Sequence, residues 1–245
     1  TYNALGYNTS DDELYGITLG RFVVKINKTN GATTDVNGTT AITGTGITSD
    51  DAFNSGAFND AGDYYVKPYG NNARLYKVNL ADSTATLITL SQSFQTSDMA
   101  WVNGLMYSTA DNGQLYSIDV TTGATTAIGG PDNTGGVLGA QFSGTNGLFG
   151  SANNGSGMYR INLTTGRRDK ISDSPASGNN DGASCPTVAL FEPLPEDPDL
   201  PVNPVKPTPA PTAVPALDEV GLGLLGLLSA GLGAFALRRR RANGQ

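Results

Sequence analysis

Short apolar runs recur along the first 191 residues, each bounded by Gly, Asn, Asp and Thr. The clearest are "ELYGI" (Glu13 to Ile17), "DYYVK" (Asp63 to Lys67), "LMYST" (Leu105 to Thr109) and "GLFGS" (Gly147 to Ser151). Their aromatics Tyr15, Tyr65, Tyr107 and Phe149 are 50, 42 and 42 residues apart, the period of one propeller blade. A second alternating run follows each: "FVVKIN", "RLYKVNL", "QLYSIDV" and "GMYRINL", with Ile26, Val78, Ile118 and Ile161 at equivalent places. Then come turn signals such as "KTNGA", "TTGA" and "TTGR" and a Thr-rich strand such as "TTAI" or "TATLI". A strand carrying Tyr7, Phe58, Trp101 or Phe142 precedes each pair, which makes four strands per unit. Period-two alternation puts one side of each strand in a core, and one meander cannot bury its own apolar faces. The pattern therefore predicts an all-β, propeller-like repeat over residues 1–191, with four units visible. No WD dipeptide or kelch signature accompanies it.

A fifth unit is begun and not finished. "NNDGASCPTVALF" (Asn179 to Phe191) aligns with "NALGYN" and "SDMAWV" as an opening strand, and no second, third or fourth strand follows it. In a closed ring such a strand completes a blade whose other strands come from the N-terminus. The expectation is that about three strands and a secretion signal precede Thr1, since "TYNALGYN" has no Met, basic n-region or apolar h-region. A four-bladed ring closed without them is the alternative.

These repeats, with "YNALGYN", "LYGI" and "NNDGASCP", resemble an uncharacterised bacterial family of extracellular propeller-like domains, known only as a domain of unknown function. The resemblance covers residues 2–191 and implies a fold without any catalytic residues to carry over.

Beyond Phe191 the pattern breaks. Residues 192–215, "EPLPEDPDLPVNPVKPTPAPTAVP", are proline-rich, and proline removes backbone donors and favours extended polyproline II. The segment reads as a semi-rigid spacer; a disordered tail would equally hold the domain away from the C-terminal residues. Residues 220–237 then run without a charge. As a helix they would extend about 27 Å at 1.5 Å per residue, near the short end for a bilayer core. Arg238, Arg239, Arg240 and Arg241 follow, and arginines beside a span favour the cytoplasmic side, which predicts a single-pass N-out/C-in protein. Gly226, Ala230 and Ala234 form a small-xxx-small ridge, for which monomeric anchoring is the simpler reading.

Short motif, span and basic cluster together resemble the IPTL-CTERM class of bacterial sorting signals, and more distantly the PEP-CTERM class. Val214, Pro215, Ala216 and Leu217 stand where that motif has Ile-Pro-Thr-Leu, and Gly221 and Leu222 follow at the family spacing. Ala216 replaces Thr, and Val220 falls where Trp is frequent. The resemblance spans residues 214–241. It implies a membrane-embedded exosortase-like processing enzyme as partner, cleavage near the motif, and delivery to the cell envelope, surface or matrix of a Gram-negative bacterium. A permanent anchor in the lipid bilayer, without processing, is the other reading.

Charge and composition narrow the chemistry. Residues 1–191 hold 10 Lys/Arg and 16 Asp/Glu, a net of −6, with no basic stripe to hold a phosphate backbone, so nucleic acid is not an expected partner. Histidine is absent and Cys185 is the lone cysteine, which excludes a His-based triad, a Cys/His zinc site and an intrachain disulfide. Asn3, Asp98 and Asp181 occupy similar places at the start of their first strands, where oxygen ligands could hold Ca²⁺. Turn capping by Asx side chains is the competing reading, and Leu138 or Gly139 at the corresponding place in another unit weakens the metal. The paired carboxylates of "SDD" (Ser49 to Asp51) and "DDE" (Asp11 to Glu13) could do acid–base work, but adjacent carboxylates more often form solvated loops. Asn8, Asn27, Asn37, Asn154 and Asn162 begin N-x-[ST] triplets, which read as surface strand positions. No cofactor is expected. The leading expectation is a non-enzymatic, exported propeller module that binds an extracellular protein or glycan. The alternative is a propeller hydrolase or lyase using carboxylates and a divalent ion in the central channel, and a structural matrix component is a third reading.

Overall fold

Alternation and turn chemistry divide the chain as the repeat requires. The computed structural model describes residues 1–178 and 180–191. The linker, residues 220–237, Arg238 to Arg241 and the Val214 to Gly221 motif lie outside the described residues. Among the described residues every regular element is a strand, and no helix is long and apolar enough to cross a membrane.

The first antiparallel sheet runs β1 (Tyr2–Asn8), β2 (Glu13–Thr18), β3 (Val23–Ile26), β4 (Thr33–Asp35). The third runs β10 (Ala100–Val102), β11 (Leu105–Thr109), β12 (Leu115–Ile118), β13 (Thr125–Ile128), and the fourth β14 (Leu138–Gly144), β15 (Gly147–Ala152), β16 (Met158–Ile161), β17 (Arg168–Ser172). The second repeats the pattern with β6 (Phe53–Phe58), β7 (Tyr64–Pro68), β8 (Asn72–Val78) and β9 (Thr84–Phe94), and gains β5 (Thr43–Gly44) in parallel on β9 at its edge. The four sheets are the blades of a propeller, with β1, β6, β10 and β14 innermost.

The hairpins between third and fourth strands share one construction. Ile26, Val78, Ile118 and Ile161 end their strands and are buried. The next residue, Asn27, Asn79, Asp119 or Asn162, accepts the backbone N–H two residues on through its side-chain oxygen. Its carbonyl then accepts from Gly31, Ser83, Gly123 or Gly166, all at positive φ. This Asx turn corrects part of the reading of the N-x-[ST] triplets: Asn162 is 2% exposed and Asn8 5%.

Alternation also gives each sheet two apolar faces, and each of the three successive blade interfaces holds a cluster. Tyr15, Ile17, Val23, Phe58, Tyr64 and Val66 fill that between blades 1 and 2. Leu75, Leu90, Met99, Trp101, Met106 and Ile118 fill the next, and Val102, Leu115, Leu138, Leu148, Tyr159 and Ile161 the third. Each fully buried side chain of this size contributes about 1.5–3 kcal/mol, so blade stacking dominates stability.

The expected opening strand of a fifth unit does not form one. Residues 180–191 make no ladder, and instead lie along β14. Val188 O accepts from Thr145 N at 2.9 Å, Ser184 Oγ binds both Ser143 N (2.9 Å) and Ser143 O (2.7 Å), and Asn146 makes two bonds with the Leu190 backbone. At the other end Asp181 reaches Leu5 of β1. The segment thus holds an inner-strand place between β14 and β1 without a sheet of its own.

Candidate functional site

The inner strands begin at one end of the central axis, and the Asx residues found by aligning the repeats sit there. Asn3 Oδ1 accepts from Ala4 N at 3.0 Å. Asp98 Oδ1 accepts from Met99 N at 2.7 Å and Asp181 Oδ1 from Gly182 N at 2.9 Å, so all three cap the next residue in the same way. The second carboxyl oxygen of each aspartate ties neighbouring parts of the ring together. Asp98 Oδ2 accepts from Gln141 N (2.6 Å) and Gly182 N (3.1 Å), and Asp181 Oδ2 accepts from Leu5 N (2.9 Å). Counting three residues back from Phe58 and Phe142, as Asp98 stands before Trp101, gives Ser55 and Gly139 in the remaining blades.

Close backbone approach makes this geometry possible. A Cβ on Gly182 would lie 2.4 Å from Gln141 O, and one on Gly56 2.0 Å from Ala4 O, so both places accept only glycine. Ala4 itself is held at φ 55° and is fully buried, with its carbonyl accepting from Tyr64 Oη.

Asp98 and Asp181 face each other across the Gly182 amide, which donates to one oxygen of each. Burial, then the Asp181 charge, pushes the Asp98 carboxyl well above the usual carboxylate range. Burial also raises Asp181, to about 7, against the opposing pull of the Leu5 and Gly182 amides. Tyr64, fully buried beside them, is raised by burial first and then by both carboxyl charges.

Around Asp98 lies a buried polar network that the sequence reading missed. Gln141 Nε2 donates to Asp98 O, while Gln141 Oε1 accepts from Thr109 N (3.1 Å) and Thr109 Oγ1 (3.2 Å). Thr96 and Ser108 hydroxyls contact the same Asp98 carbonyl at 3.0 and 2.9 Å. Nothing local marks Gln141, because its bonds cross from blade 4 to blade 3, while Thr96 and Ser108 close the network within blade 3. Beside the network the inner strands and Gly182, Ala183, Ser184 and Pro186 line a small open depression of about 20 Å³, with Tyr7, Phe58 and Trp101 on its wall.

The other flagged carboxylates stabilise loops. Asp51 forms a two-pronged pair with Arg74 (2.9 and 2.7 Å). Asp11 bonds Tyr15 Oη at 2.5 Å and Lys25 at 3.4 Å, and Asp12 pairs with Lys28 at 2.8 Å. Neither cluster joins the axial pair. The calcium expectation for Asn3, Asp98 and Asp181 meets an arrangement in which the Asn3 oxygen and all four Asp98 and Asp181 oxygens accept backbone N–H groups. Among the described residues no group of three or more Asp, Glu, Cys or His side chains could hold a metal ion.

A second polar cluster lies on the surface between blades 2 and 3. Gln95 Nε2 donates to Tyr69 Oη and to Asp111 Oδ2, both at 2.8 Å, and Ser97 Oγ donates to Asp111 Oδ1 at 3.1 Å. Tyr69 is 46% exposed, one of few large apolar side chains so presented.

Blades of this kind around a capped axis define a propeller-type repeat domain. Residues 1–187 match the family described as a repeat of unknown function (DUF6923), and the chain belongs to that family. Residues 212–241 match the IPTL-CTERM motif. That signal implies export to the cell envelope or surface and processing by a membrane sorting enzyme of the exosortase type. No curated protein matches the chain. Among solved structures, it is similar to a catalytically inactive virginiamycin B lyase from Staphylococcus aureus bound to quinupristin, with a TM-score of 0.51 and 16% identity. It is also similar to a gluconolactonase from Xanthomonas campestris, with a TM-score of 0.51 and 12% identity. Each likeness covers 74% of this chain, and 59% and 65% of the respective structures. At these identities they report the fold alone.

Proposed function

We propose that this exported propeller is a binding or adhesion module, displayed N-out/C-in by its terminal signal before processing, which captures an extracellular glycan or protein. The observation that carries the reading is the surface cluster around Tyr69. An exposed aromatic ring flanked by Gln95, Ser97 and Asp111 offers a stacking surface beside fixed donors and acceptors, and aromatic anchors dominate recognition surfaces. The test measures binding of the full chain to envelope polysaccharides and extracellular proteins of the source cells. Tyr69→Ala should weaken capture roughly tenfold with unfolding unchanged. Capture that ignores the substitution would overturn the assignment. Deleting residues 214–245 should release the domain to the medium; unchanged envelope retention would count against the anchor.

The axial carboxyl pair favours a second reading, an acid–base hydrolase or lyase. Turnover lost with Asp98→Ala would support it, and loss with EDTA would call for a divalent ion, for which the described residues offer no ligand cluster. Ligand capture without turnover supports the module.

A further inference from the structure

The segment Asp181–Phe191 belongs to no sheet, so a few side-chain and backbone contacts alone hold it in the ring. Its head is the Asp98–Asp181 contact, where blades 1, 3 and 4 converge through Leu5 N, Asp98 and Gln141 N. Asp98 Oδ2 and Asp181 Oδ1 both accept the Gly182 amide, at 3.1 and 2.9 Å, and an ionised carboxylate only accepts hydrogen bonds, so two buried carboxyls drawn to one amide repel each other unless a proton lies between them. The neighbours supply no substitute for it. β1 presents the Leu5 amide and β14 the amide of Gln141; β7 presents Tyr64, whose hydroxyl is turned to Ala4 O. Among the described residues no Lys or Arg pairs with either carboxyl.

We propose that a proton shared by Asp98 and Asp181 latches the segment Asp181–Phe191 into the ring, and that losing it frees the segment from blades 1 and 4. The latch stands independently of any ligand at Tyr69. The sign comes from the direction of the shifts. Both carboxyls are raised in the closed ring, Asp181 to about 7, while a solvated aspartate titrates near 3.8. The closed state therefore keeps a proton that the open state gives up, and closure is strongest at low pH. It weakens by about tenfold per pH unit above the solvated value, and levels off once the pair itself has ionised.

Hydrogen–deuterium exchange of the full chain in mild detergent tests this between about pH 5 and 9, with labelling times scaled to the intrinsic rate. The expected result is that protection of the Leu5, Gly182 and Thr145 amides falls about tenfold per pH unit from about pH 5 to about 7, while Leu75 and Leu115 keep theirs. Asp181→Asn can still accept from Leu5 N while donating its own amide to Asp98 Oδ2, so its protection should not depend on pH. Wild-type protection at the segment that is flat with pH overturns the latch. So does an Asn variant that retains the wild-type slope.

Discussion

Removing Phe149 and Phe191 separately and together measures how firmly the final segment packs on blade 4. Phe149 in β15 has no exposed surface, and Phe191 places its ring edge-on at 5.1 Å from it. A fully buried Phe→Ala replacement costs about 3–5 kcal/mol, transfer and cavity together. Phe191 is 43% exposed, so its truncation forfeits a little over half of a buried ring, about 1–1.5 kcal/mol. An edge-to-face pair adds about 0.5–1.5 kcal/mol beyond area, and that part is counted in both single variants. The double variant should therefore be less destabilised than the sum of the singles, by roughly 1 kcal/mol. Urea unfolding of the four proteins in one detergent gives the cycle. A coupling indistinguishable from zero, with Phe149→Ala still costly, would refute the packing of residues 180–191 on blade 4 and leave the segment joined to the ring only at its polar contacts.

The loops carry two further predictions. Asp51 is held below the usual carboxylate range: burial alone would raise it, but the Arg74 guanidinium and the Thr48 amide outweigh that. A lowered folded pKa contributes stability above the unfolded value, near 3.8, and loses it as pH falls further. Asp51→Asn should cost about 2 kcal/mol at neutral pH and flatten the acid limb of urea midpoints below about pH 4. Gly123→Ala places a Cβ 2.2 Å from Thr89 O at φ 76° and should cost about 2–3 kcal/mol. Gly31→Ala, in the same turn of blade 1 with open space around it, should cost only about 1 kcal/mol for its left-handed backbone, and equal thermal shifts for the two would contradict the close approach.

Features that repeat locally were legible in the sequence. Ile26, Val78, Ile118 and Ile161 mark a buried strand end followed by an Asx turn, and each turn is built within five residues, so its signal survives in a linear reading. Strand β5 left no such signal: two exposed residues pair with β9 because the chain passes Ser83, whose carbonyl binds Thr43 N at 3.1 Å. The fifth opening strand was half legible. Asp181 caps Gly182 as Asp98 caps Met99, which the alignment anticipated, but a strand needs a neighbour on which to form a ladder, and no adjacent run within residues 180–191 supplies one.

The axis shows why site chemistry was harder to read than fold. Asn3, Asp98 and Asp181 were found as equivalents, and a ring of equivalents suggests convergence on one ion. Their partners break that symmetry. Ser55 and Gly139 replace Asx in two blades, and the close glycine at position 182 brings its amide to both carboxyls at once. A pair converges there, not a ring. Two buried carboxyls 83 residues apart in sequence then face each other across one amide, and the residues that fix this outcome, Gly182 and Gln141, carry no charge of their own to announce it. The distinguishing information therefore lies in how closely backbones from different blades approach. Each unit fixes its own strand order, whereas the chemistry at the centre depends on the positions where the units differ.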